Sequence, residues 1–274
     1  MQTLKLGISP CPNDTFIFAA LVKNLFDTKG LTIQTTLADV EELNSKALTG
    51  ELDVVKISVA QYPRIAENYA LLRCGGALGY GCGPIVVARP DRDATAPSQT
   101  VALPGAMTTA ALLTELCGKF PGPRMILRYD EVMPAVVERR ADLGVIIHEG
   151  RFTYMNSGLE KIFDLGAWWE KEKGLPIPLG AIAIRRDRIP QVKLVEELIR
   201  TSLDRAHKDP GTIWTFILDH AQEMSETVIR EHIKTFVNDF SHDVGNAAPA
   251  VTELVETAAK AAGIALPDKP IFAS

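Results

Sequence analysis

Short apolar runs and helical patterns alternate through the first part of the chain. Residues 4–8, Leu-Lys-Leu-Gly-Ile, place apolar side chains at every second position, the period of a half-buried strand. Residues 14–24 predict a helix, with Asn13 or Asp14 as its cap. A second alternating run at 31–36 predicts a strand, and 40–49 a helix stopped by Gly50. Residues 52–57 predict a third strand. The order β-α-β-α-β implies a mainly parallel sheet with helices on both faces. Five glycines between 75 and 83 mark a break, where a backbone can bend sharply or approach a ligand closely. A strand follows at 85–89, then a polar stretch at 90–98 that predicts a surface loop.

A second α/β block begins at 100–103. Helices are predicted at 108–119 and 131–139, strands at 124–128 and 143–147, and a returning strand at 176–184. Beyond Pro190 the pattern is helical, with segments at 192–207, 211–220, 226–239 and 250–262. This order predicts an α/β protein of two lobes. Residues 1–88 with 185–274 would form one lobe, and residues 89–184 an inserted second lobe. Ligands of open α/β sheets bind beyond the carboxyl ends of the strands, so the cleft between lobes is the expected site.

Composition narrows the function classes. The chain has 274 residues, 46% of them hydrophobic, which is enough for a sizeable core. Its formal net charge is -5 and it has no long basic run, so it carries no electrostatic footprint for nucleic acid. No apolar run approaches the roughly 18 to 20 residues of a membrane span. The first ten residues lack the long apolar region of a secretory leader, and a cytoplasmic protein is expected. Cys11, Cys74, Cys82 and Cys117 form no Cys-x-x-Cys pair, and a zinc site is not expected. Free thiols suit a reducing compartment. Cys11 and Cys82 lie in turn-like sequence, which leaves a catalytic thiol open.

Three predicted strand ends carry polar residues suited to a ligand. Ser9-Pro10-Cys11-Pro12-Asn13-Asp14-Thr15 opens a helix, so it reads either as a ligand-binding helix start, with Ser9 and Asn13 as contacts, or as an ordinary cap. Lys56-Ile57-Ser58 ends the third strand, where the lysine faces an anion or snorkels to solvent. Pro104-Gly105-Ala106-Met107-Thr108-Thr109-Ala110 begins the first helix of the second block, a start that suits a carboxylate or phosphate. No phosphate-binding glycine motif is present, which disfavours a nucleotide. His148 directly follows a strand and suits a general base near neutral pH, although a lone histidine also serves structural roles. Asp142, Glu149 or a backbone carbonyl could orient its ring. His207, His220, His232 and His242 fall in the helical tail and read as surface or packing residues.

These segments join into one pattern. Ser9-Pro10-Cys11-Pro12-Asn13-Asp14-Thr15-Phe16, Gly79-Tyr80-Gly81-Cys82-Gly83-Pro84 and His148-Glu149-Gly150-Arg151-Phe152-Thr153-Tyr154 occur in order. Asp164-Leu165-Gly166-Ala167-Trp168-Trp169-Glu170 and Leu175-Pro176-Ile177-Pro178-Leu179-Gly180 follow. The chain resembles the 1,4-dihydroxy-6-naphthoate synthase family of the futalosine route to menaquinone. The resemblance implies a fold similar to the type II periplasmic binding proteins, with the ligand cleft between lobes. It implies a carbon-carbon lyase acting on cyclic dehypoxanthinyl-futalosine, a small carboxylated substrate, with no metal and no organic cofactor. It puts the family's histidine base on His148, its strand-end substrate contacts on Lys56, Ile57 and Ser58, and its helix-start contacts on Thr109 and Ala110. No nucleic acid or membrane partner is expected, and the oligomeric state stays open. The alternatives are chorismate dehydratase, which shares the pathway and fold, and a cytoplasmic protein that binds a small molecule without catalysis.

Overall fold

The computed structural model describes residues 2–93, 98–222 and 225–274. Part of the surface loop expected at 90–98 therefore lies outside the described residues. The chain starts with β1 (Gln2–Ile8), α1 (Pro12–Val22), β2 (Leu31–Leu37), α2 (Val40–Thr49) and β3 (Val54–Ser58). Short strands β4 (Tyr69–Leu71) and β5 (Ala77–Gly79) follow, then β6 (Ile85–Ala88) and β7 (Val101–Leu103). Next come α3 (Thr109–Cys117), β8 (Arg124–Ile126), α4 (Tyr129–Val137) and β9 (Leu143–Ile146). The short α5 (Gly150–Thr153), β10 (Glu160–Asp164), α6 (Leu165–Lys173) and the long β11 (Ile177–Arg185) lead into the tail. The tail is α7 (Val192–Lys208), α8 (Gly211–His220), α9 (Glu226–Phe236), α10 (Asp239–His242) and α11 (Ala248–Ala262).

Two sheets result. The first has the order β2-β1-β3-β11-β4, with β5 also paired to β11. β1 is parallel to β2 and β3, as the β-α-β pattern predicts. β11 runs antiparallel to β3, β4 and β5, so the sheet is mixed rather than mainly parallel. The second sheet has the order β10-β6-β9-β7-β8. The chain passes from the first sheet to the second between Gly79 and Ile85 and returns between Asp164 and Ile177. Both crossings come earlier than the lobe boundaries expected at 88 and 184, because β6 pairs with β9 and β10 of the second sheet and β11 belongs wholly to the first.

The apolar positions explain the layers. α1 is buried almost all round, and packs against α7, α8 and α9 over one face of the first sheet. Its first turn begins earlier than the Asn13 or Asp14 cap predicts. Pro12 occupies the first helical position, where its fixed φ and missing N–H cost nothing, and the cap is Cys11. The opposite face of the first sheet shares a continuous apolar core with the second sheet. Val55, Ile57 and Ala183 join Val86, Val101 and Val145 in it, together with Trp169 of α6. At the crossing point, a Cβ on Gly83 would sit 2.3 Å from the Gly166 Cα. The two backbones touch there, and only glycine fits. No helix among the described residues is long and apolar enough to cross a membrane.

Candidate active site

Strand ends from both sheets face one cavity. Of the eight residues expected there, Ser9, Asn13, Lys56, Ser58, Thr109, Ala110 and His148 line it. Ile57 does not. Side chains alternate across a strand, so Ile57 points away from Lys56 and into the core, where it is fully buried. Apolar walls come from Val40, Ile147, Leu179 and Phe236. An apolar cavity with a few convergent polar groups is the ordinary form of a small-molecule site.

Lys56 neither snorkels nor offers an unpaired charge. Its Nζ is buried and lies 2.6 Å from Asp14 Oδ1. Asp14 is the residue that sequence reasoning read only as a cap. Its second oxygen accepts from the Ser9 N–H at 3.1 Å and the Ser9 hydroxyl at 2.8 Å, and Asn13 Nδ2 donates to the first at 2.9 Å. Burying both charges is tolerable because their partners satisfy them. Removing one partner of such a pair costs about 3–5 kcal/mol. Gly180 keeps the pair in place, since a Cβ there would meet Lys56 Cε at 2.7 Å.

Ser58 is held by Asn44 of α2, which accepts from its N–H at 2.9 Å and donates to its hydroxyl at 3.2 Å. Thr109 donates its hydroxyl to the Leu179 carbonyl at 2.9 Å. Thr108 caps α3 by accepting from Ala111 N–H. The first amides of α3, at Thr109 and Ala110, have no intrahelical acceptor and belong to residues lining the cavity. Just before this helix an acidic side chain of the protein itself takes the anion position. Glu41 Oε1 accepts from Ala106 N–H at 2.7 Å and Met107 N–H at 3.0 Å. Gly105 makes room for it, with φ of 102° and no side chain to strike the Glu41 carboxylate. The helix start is therefore divided between Glu41 and the cavity.

His148 sits just past β9 with φ of 51°, a left-handed conformation rare for any residue but glycine. Such a backbone costs about 1–3 kcal/mol, and Asn24, Lys29 and Arg139 adopt it too, away from the cavity. Burial drives its pKa down to about 4, against a usual 6.5; Asp14 partly offsets the fall and Lys56 adds to it. The imidazole is therefore neutral at pH 7 and able to accept a proton. The sequence left Asp142, Glu149 or a backbone carbonyl open as orienting partners. Asp142 accepts instead from Thr100 N–H at 2.8 Å, and Glu149 stands beside His232, 3.5 Å from its Nδ1. The atom at Nδ1 of His148 is Cys11 Sγ, at 3.2 Å.

His232 is the second finding that sequence reasoning missed. It is fully buried, its Nε2 lies 2.9 Å from Asn13 Oδ1, and its ring packs edge-on to His148 at 6.1 Å. No local signal announces it, because it lies 219 positions from Asn13. The other tail histidines stay clear of the site: His207 packs on Phe16, His220 bonds its own helix, and His242 is half exposed beside Asp204. The thiols of Cys11 and Cys82 are both pushed up by burial, Cys82 to about 12, which keeps them protonated and weakly nucleophilic. Among the described residues no three His, Cys, Asp or Glu side chains group closely enough to hold a metal ion.

The sequence pattern of the menaquinone biosynthesis family matches residues 4–260. The chain belongs to that family. Two curated members are named 1,4-dihydroxy-6-naphthoate synthase. That of Thermus thermophilus is 43% identical, over 99% of this chain and all of its own. That of Streptomyces coelicolor is 41% identical, over 96% and 95%. The resemblance expected from the five motifs thus holds across the chain, and supports an enzyme of menaquinone biosynthesis. A solved structure of an Archaeoglobus fulgidus protein superposes with a TM-score of 0.87 at 29% identity, covering 96% of this chain and 98% of its own. The periplasmic aliphatic sulphonate-binding protein of Escherichia coli gives a TM-score of 0.68 at 10% identity, covering 99% and 91%. The menaquinone-family chain therefore has the periplasmic-binding-protein fold expected of it.

Proposed function

We propose that this protein is a carbon-carbon lyase that converts cyclic dehypoxanthinyl-futalosine to 1,4-dihydroxy-6-naphthoate, with His148 as general base. The observation that carries the proposal is a neutral imidazole at the cavity wall, in a chain whose relatives bear that enzyme name over their full length. The amides of Thr109 and Ala110 take the substrate carboxylate, and Ser58, Ser9 and Asn13 take its hydroxyls. His148 removes a proton from the sugar-derived ring. The electron pair left behind drives elimination, and carbon-carbon cleavage releases the naphthoate and a small sugar fragment. The lobes close over the substrate, exclude water and fix the scissile bonds. Lys56 acts by holding Asp14, whose charge favours the imidazolium that forms. The reaction takes place in the cytoplasm, a setting that suits four cysteines none of which is in a disulfide.

The test is to incubate purified protein with cyclic dehypoxanthinyl-futalosine and follow products by mass spectrometry. Formation of 1,4-dihydroxy-6-naphthoate is expected. His148→Asn should lower turnover about 10²–10⁴-fold, the usual worth of a positioned base, with substrate affinity changed little. Unchanged substrate with folded protein would turn the assay to chorismate. Near-normal turnover of His148→Asn would remove the base from the mechanism.

A further inference from the structure

The contact between Cys11 and His148 crosses the cleft. Cys11 stands in the turn that ends β1, and His148 just past β9 of the other sheet, with Sγ and Nδ1 3.2 Å apart. The edge-on ring of Tyr129, 4.9 Å away, limits the other side of the imidazole. Further polar groups lie behind Cys11. The Ser9 hydroxyl lies against the Cys11 side chain, accepts from Cys11 N–H at 3.4 Å and bonds Asp14 Oδ2 at 2.8 Å. Lys56 closes the series at 2.6 Å from Asp14.

The protons of this series have a direction. A carboxylate bound to Lys56 only accepts, so the Ser9 hydroxyl proton points at Asp14. The Ser9 oxygen is then left to accept, as it does from the Cys11 N–H. A thiol is a weak donor and an imidazole N–H a stronger one, so the sulfur lone pairs meet the ring as acceptors.

We propose that Cys11 is a positioning residue, whose sulfur accepts the Nδ1 proton of His148 and so leaves Nε2 unprotonated for the substrate. The proposal rests on the reading of His148 as the base. The substrate proton passes to Nε2, the Nδ1 proton stays on the ring, and the thiol keeps its own proton throughout. Burial first, and then the carboxylates of Glu149 and Asp14, oppose a thiolate there, so Cys11 orients rather than attacks.

Two readouts test this. A long-range ¹H–¹⁵N spectrum of the whole protein, with His148 assigned through His148→Asn, reports the tautomer directly. The Nδ1–H form is expected in the natural protein and in Cys11→Ser, and Nε2–H or a mixture in Cys11→Ala. Kinetically, Cys11→Ala should lower kcat by about 10- to 100-fold with KM within about twofold, as loss of a ring-orienting partner does, and Cys11→Ser should restore most of it. An Nε2–H ring in the natural protein would overturn the proposal. So would a Cys11→Ala variant with unchanged kcat while His148→Asn is inactive. If His148→Asn itself stays active, the base reading fails, and the tautomer spectra still decide whether Cys11 holds the ring.

Discussion

His148 and His232 are neutral imidazoles placed where burial opposes their charge. His148 has its pKa lowered to about 4, and His232 falls well below its usual 6.5, with the neighbouring His148 and Lys56 adding to the burial. An unfolded chain protonates both below about pH 6.5, whereas the folded protein leaves His148 neutral until about pH 4. The unfolded state then binds more protons in that window, so stability falls as pH falls from about 6.5 toward 4. Each such group adds a slope of about 1.4 kcal/mol per pH unit inside the window and nothing above it. Thermal unfolding measured from pH 7.5 down to 4.5 should show this acid loss, with a shallower slope for His148→Asn. An identical slope in the variant would mean that His148 is not desolvated. The residues themselves were legible from sequence, because Lys56, Ser58, Thr109 and His148 each follow an apolar strand or open a helix. Their partners were not. Asp14 lies 42 positions from Lys56 and Cys11 137 from His148, distances at which periodicity carries no information.

At the level of elements, those with their own stop signals were read most closely. Helix α2 spans 40–49 and stops at a left-handed Gly50 as predicted, while its Asp39 cap, which accepts from the Glu41 N–H, was not read from the sequence. β4 and β5 were missed because no alternating run of their own marks them; each exists by pairing with β11. β10 and α6 were missed for a related reason. The half-buried β10 is defined by its pairing with β6, and the Asp164 cap of α6 was quoted as a motif without being read as a helix start. The glycines of these motifs have a mechanical meaning. Gly83, before β6, and Gly166, in the first turn of α6, bring two backbones into contact at the crossing between sheets. Gly83→Ala would put a methyl group 2.3 Å from the Gly166 Cα, where no side chain can rotate away. Urea unfolding should show a loss of about 1–3 kcal/mol or more, the cost of overpacking. A variant as stable as the parent would show that the two backbones separate freely.

For the whole molecule, the decisive contacts are those that tie one sheet to the other around the cavity. Cys11 reaches His148, Thr109 reaches the Leu179 carbonyl, and Glu41 holds the amides of Ala106 and Met107. Glu41 of α2 thereby bridges from the first sheet's helix to the loop before α3. Glu41→Ala should therefore enlarge the unliganded protein in small-angle X-ray scattering. It should also raise KM by about three- to tenfold with kcat nearly constant, because a smaller share of molecules is ready to bind. Identical scattering and KM would mean that Glu41 merely caps a loop. The two-lobed layout was legible from the order of elements. The sheet crossings near 79–85 and 164–177 were not, since pairing of β6 and β11 decides them.

The pairing of Lys56 with Asp14 also bears on how the anionic substrate proposed above would arrive. The cavity's cation is cancelled 2.6 Å away, and the chain as a whole carries a net charge of -5. Lys56 therefore offers no unpaired charge to draw an anion in, and the net charge of the chain opposes one wherever salt does not screen it, within about 10 Å. Encounter with an anion is then not accelerated by steering, and added salt, which screens like charges, should raise the association rate slightly rather than lower it. Selection among anions is made only after contact, by hydrogen bonds that fit or do not.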